Sequence, residues 1–258
     1  MASAPLSVFR TMGPRLLSNA YVVADRSSGE AVVIDSGGVL DELIATIEAW
    51  QVRPRYLLCT HHHPDHVAYN TELASRYGLP ICGHAAEREL FGHLDRELAD
   101  GEEILVGSLR IRALHVPGHT LGQLAFVVDE RELFSGDTLF RGSVGGTRGR
   151  GHTSYEDLRH SVMEVLLRLP PTTVVRPGHA EPTTVGRELA ENPFVQFWLG
   201  ASRPLPRPCT AFGRPATLLL RGSDYDGGTK CIVRFDDGRH DVVPGSRVTE
   251  SPAGAGDR

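Results

Sequence analysis

The chain of 258 residues is long enough to bury a large core, and its 40% apolar and 23% charged residues are typical of a soluble globular protein. A formal net charge of −5 argues against a nucleic-acid or membrane partner, and no apolar run approaches the roughly 18–20 residues that would span a bilayer. The N-terminus lacks the continuous apolar stretch of a signal peptide and the four cysteines are widely spaced, so we expect a cytoplasmic protein.

The first third of the chain alternates strand-like and helix-like segments. Asn19–Ala24 and Ala31–Ile34 flank a Ser-Ser-Gly-Glu turn, which predicts a β-hairpin. Apolar residues then recur at helical spacing as far as Trp50. Tyr56–Cys59 predicts a short buried strand, and Asn70–Tyr77 predicts a helix that ends at a Gly-Leu-Pro sequence.

The middle of the chain is richer in strands. Strands are predicted over Leu109–Val116, Leu124–Val128 and Leu133–Ser135, separated by glycine or charged turns. Ser154–Leu169 has the apolar spacing of an amphipathic helix, and Thr173–Val175 predicts one more strand. This mixture of strands and helices predicts a layered α/β domain.

The last quarter of the chain differs in composition from the predicted α/β domain, which covers residues 1–201. The proline-rich residues 202–215 predict a linker or an extended strap. Three strand-like runs joined by Asp- and Gly-rich turns then predict a small β appendage over residues 216–249. The tail, residues 250–258, is expected to be disordered. The appendage could instead be a binding module for a protein or nucleic acid, although it has few basic residues.

Histidine and aspartate side chains follow the ends of four predicted strands. Residues 60–70 read THHHPDHVAYN and come directly after the strand that ends at Cys59. His119, Asp137 and His179 each follow a later strand, and a glycine precedes each of them. Loops that leave the strands of a rigid scaffold can bring such groups together. Because imidazole nitrogens and carboxylate oxygens bind zinc and similar ions, the pattern predicts a metal site.

The spacing within the histidine cluster allows two ions. In an extended loop His61 and His63 project to the same side and can share one ion, while the histidine between them points away. Asp65 and His66 can serve a second ion, and a carboxylate such as Asp137 can bridge two cations. Such a set leaves positions open for water, as catalysis requires. The histidines that we do not assign to the site are His62, His84, His93, His115, His152, His160 and His240.

These motifs resemble those of the metallo-β-lactamase fold. THHHPDH matches its HxHxDH signature, and PGHT, SGDTLF and RPGH follow in the order of its later ligand motifs, over roughly residues 6–200. The resemblance implies an αββα four-layer sandwich, to which the small β appendage is added. It also implies seven ligands in two groups bridged by Asp137: His61, His63 and His119 for the first ion, and Asp65, His66 and His179 for the second.

Within this fold the sequence is most similar to the glyoxalase II-like hydrolases. The segments NAYVV, GHTLGQLAF, GDTLFRGSVGGT and PGHAEPTTVGRELAENPF resemble the small bacterial members of that group. Class B1 and B2 β-lactamases lack equivalents of His66 and Asp137, so this resemblance argues against antibiotic hydrolysis. Flavodiiron proteins carry Glu where His63 stands, and nucleases with a β-CASP insertion need a longer chain.

The chain also departs from the glyoxalase II pattern. A β appendage stands where the typical enzyme has a helical region with basic residues that bind glutathione. Gly146 occupies a position where many relatives have arginine, and Ala68 and Tyr69 replace glycines near the histidine cluster. These changes leave the predicted ligands intact, so they bear on the thiol carrier rather than on the metal.

The resemblance implies a metal-dependent hydrolase of an acyl-thiol. Two divalent cations, expected to be zinc with iron or manganese as alternatives, would lower the pKa of a bridging water, and the resulting hydroxide would attack a thioester carbonyl. Asp65 would orient that water and accept a proton, and Asp137 would bridge the ions. The expected partner is a small-molecule acyl-thiol, with no nucleic acid and no membrane.

Two other activities share this fold and these ligands. A persulfide dioxygenase uses a single iron, bound by a subset of the residues that includes His119 and Asp137. A lactonase has the same ligand set. The motifs therefore discriminate weakly between these enzymes and a thioester hydrolase, whereas the metal content would separate the dioxygenase from the other two.

Overall fold

A computed structural model describes residues 6–250 of the chain. The strands are β1 (Leu6–Met12), β2 (Asn19–Asp25), β3 (Glu30–Ile34), β4 (Arg53–Leu58), β5 (Ile81–His84), β6 (Arg96–Leu98), β7 (Glu103–Val106), β8 (Leu109–His115), β9 (Leu124–Val128), β10 (Glu132–Gly136), β11 (Leu139–Phe140), β12 (Ser143–Val144), β13 (Val174–Pro177), β14 (Thr183–Thr184), β15 (Arg207–Ala211), β16 (Arg214–Ser223), β17 (Thr229–Phe235), β18 (His240–Pro244) and β19 (Val248–Glu250). The α-helices are α1 (Leu40–Trp50), α2 (Pro64–Val67), α3 (Asn70–Tyr77), α4 (Arg88–Phe91), α5 (Tyr155–His160), α6 (Val185–Glu191) and α7 (Pro193–Trp198). Among the helices of residues 6–250, none has the length and apolarity to cross a bilayer.

The first sheet has the strand order β1-β2-β3-β4-β5-β6. The first three strands are antiparallel neighbours, and β3 to β6 run parallel. Alternate residues of β2 point to opposite faces: Ala20 and Val22 pack with residues of α1 and α3, whereas Tyr21 and Val23 face the second sheet. Because both faces are covered, this strand is apolar nearly throughout rather than alternating with polar residues.

The second sheet has the strand order β14-β13-β10-β9-β8-β7. Its inner residues, among them Ile111 and Phe126, pack with those of the first sheet, and its outer residues, among them Leu114 and Val127, pack with Leu158 of α5 and with α7. The order of layers is helix, sheet, sheet, helix, which confirms the predicted αββα sandwich. Strands β8, β10 and β13 run in one direction, because β9 is antiparallel to its two neighbours and β13 is parallel to β10.

The C-terminal sheet, formed by β15 to β19, has the order β18-β17-β16-β15-β19 and is antiparallel throughout. It is larger than predicted, since Arg207–Ala211 is a strand that lies inside the predicted linker of residues 202–215. Pro208 and Pro215 each occupy the second position of a strand, near a strand end where a missing N–H costs little. The sheet extends to Glu250, and the rest of the predicted tail lies outside the described residues.

The C-terminal sheet packs onto the sandwich through a shared core. Leu220, Ile232 and Val242 belong to the same buried cluster as Leu158 of α5. Thr147 binds the sheet at two atoms, donating its N–H to the Val242 carbonyl at 2.9 Å and accepting the Val242 N–H at its Oγ1 at 2.9 Å. The sheet is therefore joined to the sandwich by both apolar packing and hydrogen bonds.

Candidate metal centre

The seven predicted ligand side chains meet at one edge of the two facing sheets. The loop after β4 carries His61 and His63, and the short helix α2 carries Asp65 and His66. The other three follow the ends of strands β8, β10 and β13, which share one direction: His119, Asp137 and His179. The convergence expected from the sequence is present in the structure.

His61, His63 and His119 form the first cluster. Nδ1 of His63 lies 3.0 Å from Nε2 of His61 and 3.0 Å from Nε2 of His119. The three ligand atoms lie within 4.8 Å of one another, close enough to share one ion. His61 is fully buried and the other two side chains are half-buried, so the cluster is open to solvent on one side.

Asp65, His66 and His179 form the second cluster. Oδ2 of Asp65 lies 3.6 Å from Nε2 of His66 and 3.5 Å from Nε2 of His179. Asp137 lies between the two clusters, because its Oδ1 is 3.4 Å from Nε2 of His66 and its Oδ2 is 3.5 Å from Nε2 of His119. This is the position that a bridging carboxylate would occupy.

Hydrogen bonds on the far side of two rings decide which nitrogen carries the proton. Nδ1 of His119 lies 2.9 Å from the Gly146 carbonyl oxygen, and Nε2 of His63 lies 3.0 Å from the Arg150 carbonyl oxygen. Because a carbonyl oxygen only accepts, each neutral ring donates there and keeps a lone pair on its other nitrogen. Two lone pairs then face each other at 3.0 Å, an arrangement that a cation between them stabilises.

Asp35 orients two further ligands. Its carboxylate accepts the Thr60 N–H at 2.7 Å and the Thr60 hydroxyl at 2.8 Å. Since that hydroxyl already donates to Asp35, its oxygen accepts from Nδ1 of His61 at 3.0 Å. Nδ1 of His66 donates to Asp35 directly at 3.0 Å. Nε2 of His61 is thus left with a lone pair directed into the site. Burial alone would lower the pKa of His66, but Asp137 and Asp35 outweigh it and raise that pKa well above its ordinary value, so His66 would release a proton on binding a metal.

Burial and neighbouring charges set the protonation states of the site. Burial lowers the pKa of His61 and His63, and it lowers the pKa of His119 to about 4, so these imidazoles are neutral at pH 7. Burial alone would raise the pKa of Asp137, but the adjacent histidines outweigh it and hold that pKa well below its ordinary value. Neutral imidazoles and an ionised carboxylate are the forms that bind metal.

The donor set fits a pair of divalent cations. Oδ1 of Asp137 is buried and makes no hydrogen bond to any residue in the range 6–250. A cation would satisfy this oxygen, just as it would separate the facing lone pairs of His63 and His119. Five imidazoles and two carboxylates suit zinc, iron or manganese rather than calcium or magnesium, which prefer oxygen ligands.

Two glycines permit the close approach of the ligand loops. A Cβ atom at Gly178 would lie 2.2 Å from Oδ1 of Asp137 and 2.8 Å from Cε1 of His66. A Cβ atom at Gly37 would lie 1.4 Å from the carbonyl oxygen of Asp65. Neither position accepts a larger residue without moving a ligand.

His62 points away from the metal site, as predicted, and binds Glu87. Its Nδ1 lies 2.8 Å from Oε2 of Glu87, which also accepts the His62 N–H at 2.9 Å. Oε1 of Glu87 accepts the Gly122 N–H at 2.8 Å, and the glutamate is fully buried. Glu87 therefore ties the ligand loop to the segment that precedes β9. No motif marks Glu87, so sequence reasoning missed it.

A cleft of about 350 Å³ opens beside Asp137 and His119. Gly146, where many relatives have arginine, lies on its surface, whereas Ala68 and Tyr69 do not. Much of its wall comes from the C-terminal sheet: Phe212, Asp224, Tyr225, Asp226, Lys230, Val242, Pro244 and Arg247. None of these residues was predicted to belong to the site, because they carry no motif and lie far along the chain from the ligands.

Comparisons with known proteins agree with this geometry. The model of the metallo-β-lactamase superfamily matches residues 13–179. The hydroxyacylglutathione hydrolase GloC of Haemophilus influenzae is 34% identical over 186 residues, which cover 64% of this chain and 87% of that protein. The crystal structure of the BLEG-1 B3 metallo-β-lactamase has a TM-score of 0.68 at 30% identity, covering 73% of this chain and 99% of its own. The crystal structure of TTHA1623 in a di-iron-bound form has a TM-score of 0.62 at 36% identity, covering 72% of this chain and 99% of that chain. The chain therefore belongs to the metallo-β-lactamase superfamily, and hydroxyacylglutathione hydrolases are among its homologues.

Proposed function

We propose that the protein is a binuclear metal-dependent hydrolase that cleaves thioesters. The observation that carries this proposal is the pair of ligand clusters with the Asp137 carboxylate between them. The similarity to a hydroxyacylglutathione hydrolase supports a thioester as the substrate. The B3 β-lactamase among the similar structures makes a β-lactam a necessary comparator, since only the B1 and B2 classes were disfavoured by the sequence.

Two bound divalent cations would supply a hydroxide at neutral pH and polarise the carbonyl that it attacks. Three neutral imidazoles would hold the first ion, and the cluster of Asp65, His66 and His179 would hold the second. Asp65 is the least buried member of that cluster, with 18% of its side chain exposed, so it can orient the attacking water and accept its proton. A thiolate leaves without protonation, so the chemistry requires no separate acid.

Zinc is the ion that we propose, with iron and manganese as alternatives. The five imidazoles suit all three ions, and TTHA1623, at 36% identity, is known in a di-iron-bound form. We also propose a cytoplasmic location and a small-molecule acyl-thiol as the partner. The four cysteines, which are buried and unpaired, support this location, since unpaired thiols are usual in a reducing compartment.

Metal analysis combined with a substrate panel tests this function. We expect two ions per chain and hydrolysis of at least one thioester from a panel that includes S-D-lactoylglutathione, a lactone and a chromogenic β-lactam. One iron per chain with oxygen consumption on a persulfide would identify the dioxygenase instead. Turnover of only the lactone or only the β-lactam would replace the thioester in the proposal.

A single substitution tests the bridging carboxylate. Asp137→Ala is expected to lower the metal content and abolish hydrolysis together, because its carboxylate lies within 3.5 Å of ring nitrogens from both clusters. Asp236→Ala removes an exposed carboxylate from the turn after β17 and is the matched control, expected to retain metal and activity. Full turnover by Asp137→Ala with both ions retained would contradict the assignment.

A further inference from the structure

The cleft beside the metal centre is closed on one side by the C-terminal sheet. Its volume of about 350 Å³ falls within the range of small-molecule sites. Asp137 and His119 lie on its surface, so a molecule held there reaches the proposed ions. If the protein hydrolyses thioesters, this wall contacts the part of the substrate that extends from the reacting carbonyl.

Three cations line the cleft, and two of them are already neutralised. Lys230 is buried, lies 3.0 Å from Oδ1 of Asp224 and donates to the Val144 carbonyl oxygen at 2.6 Å. Arg148 is paired with Asp241. A carboxylate of the protein therefore already compensates the charge of each of these two side chains.

Arg247 is the cation of the cleft that remains free. Its side chain is exposed, and within residues 6–250 it forms no ion pair or hydrogen bond. It is the last residue of a single turn of 3₁₀ helix, Gly245–Arg247, that leads into β19. A guanidinium on the surface of a cleft can bind a carboxylate or a phosphate through two parallel hydrogen bonds.

Phe212 provides an apolar surface in the same wall. It lies at the tip of the β15–β16 hairpin with φ +51°, a left-handed conformation that is unusual for a bulky residue. Its side chain is 44% exposed although it is large and apolar. Its N–H donates to the Arg247 carbonyl oxygen at 3.0 Å, so the aromatic ring and the free cation are held on adjoining segments. Such backbone strain concentrates at ligand-binding positions.

Tyr225 joins the C-terminal sheet to the metal centre itself. Its ring stacks on that of His179 with centroids 4.1 Å apart and an interplanar angle of 9°. Nδ1 of His179 is buried without a hydrogen-bond partner among residues 6–250, unlike the far nitrogens of the other ligand rings. The Tyr225 ring therefore provides the packing that orients His179, and the sheet is a part of the active-site wall rather than a separate module.

We propose that the C-terminal sheet binds the thiol carrier of the substrate and that Arg247 pairs with an anionic group on this carrier. This inference rests on the proposed thioester hydrolysis. Asp226 lies on the same wall as an exposed carboxylate whose Oδ1 accepts the Gly228 N–H at 2.8 Å, so it opposes an anion. The two residues should therefore act on an anionic carrier in opposite directions.

Matched thioesters test the proposal kinetically in the metal-loaded enzyme. One acyl group is placed on glutathione, which carries carboxylates, on coenzyme A, which carries phosphates, and on N-acetylcysteamine, which is neutral. For Arg247→Met we expect the ratio of kcat/KM for the preferred anionic carrier to that for the neutral carrier to fall about tenfold or more, mainly through KM. For Asp226→Asn we expect the same ratio to rise. The anionic carrier that the enzyme prefers shows whether the group that pairs with Arg247 is a carboxylate or a phosphate.

Arg234→Met is the matched control, because Arg234 is an exposed arginine of the same sheet that has no ion pair within residues 6–250 and does not line the cleft. It should leave the ratio within about twofold of the native value. An equal loss in Arg247→Met and Arg234→Met, or an unchanged ratio in Arg247→Met, would overturn the proposal.

Calorimetric titration of S-methyl thioethers of the same three thiols separates this inference from the proposed function, since these analogues bind without being hydrolysed. Binding that depends on Arg247, with no thioester turned over, would refute hydrolysis and retain the carrier site. Hydrolysis with equal use of neutral and anionic carriers would retain the function and refute the carrier site. If neither anionic analogue bound, the carrier site would also be refuted.

Discussion

Asp35 is the residue on which the orientation of two proposed ligands depends, through Thr60 to His61 and directly to His66. In Asp35→Asn the amide NH₂ replaces one acceptor oxygen, so at least one of the three hydrogen bonds that Asp35 accepts from Thr60 and His66 is lost. We expect the affinity for zinc to fall by about 10–100-fold, as when other partners of metal-ligating histidines are removed. Competition with a chromogenic chelator measures this affinity.

The control for that substitution is Asp25→Asn. Asp25 is an equally buried aspartate at the end of β2, and it binds Ser27 and Ser108 instead of any proposed ligand. Its loss should reduce the stability of the fold without changing the affinity for metal. Equal weakening of metal binding in both variants would show that Asp35 acts through general stability.

Glu87 gives a pH-dependent prediction. Burial alone would raise its pKa, but the hydrogen bonds that it accepts from His62 and its other partners outweigh burial and lower the pKa. Because the folded pKa lies below the unfolded value of about 4.3, the carboxylate stabilises the fold above that pH, and this contribution is lost as the pH falls through the folded pKa.

Glu87→Gln should therefore lower the free energy of unfolding by about 1–3 kcal/mol at pH 7, and the difference from the native protein should narrow below about pH 4. Urea unfolding at pH 7 and below about pH 4 measures this difference in the free energy of unfolding. Glu97→Gln, at an exposed residue paired with Arg88, should change stability by no more than about 1 kcal/mol. A difference for Glu87→Gln that does not vary with pH would exclude the carboxylate charge as the cause.

At the scale of elements, the C-terminal sheet is expected to unfold together with the sandwich, because Leu220, Ile232 and Val242 share its core. Cys82 of β5 and Cys231 of β17 are both fully buried, and burial raises their pKa to about 12 and about 11. Neither thiol should react with iodoacetamide until its element opens. Pulse labelling along a urea series, read by mass spectrometry, should therefore give one midpoint for both cysteines.

Ile232→Ala sharpens this test. Deleting a fully buried side chain from the shared core should cost about 2–5 kcal/mol and lower both labelling midpoints together. If Cys231 alone became reactive at lower urea, the C-terminal sheet would be an independent unit, and the predicted division of the chain at residues 202–215 would describe its folding.

At the scale of the whole molecule, metal removal is expected to lower the melting temperature. The proposed ions connect loops from both sheets, and a site of this kind exists only in the folded chain, so binding stabilises that state. An ion present at a thousand times its Kd contributes about 4 kcal/mol, or about 8–16 °C for a protein of this size. Calorimetry before and after chelation measures the shift, and Asp137→Ala should show a much smaller one.

The sequence predicted the elements and ligands that are marked by an apolar period or a short motif, that is, by residues close together in the chain. Helices α1 and α3 have a clear apolar period and end where predicted, and strand β9 has the predicted bounds. The proposed ligands follow strand ends in short motifs, and such loops of a rigid scaffold can converge, so a shared site could be expected from the sequence. The strand Arg207–Ala211 was missed because its prolines are typical of linkers, and only pairing with its neighbours makes it a strand.

The sequence by itself determined the αββα fold, through its motifs, and the set of residues that we propose as metal ligands. The tertiary structure alone decided what surrounds them: Asp35 and Glu87 orient the ligand loops, and the C-terminal sheet closes the cleft through Tyr225 and Arg247. The physical reason is that these contacts join residues far apart in the chain, whose side chains have no spacing or motif that could mark them.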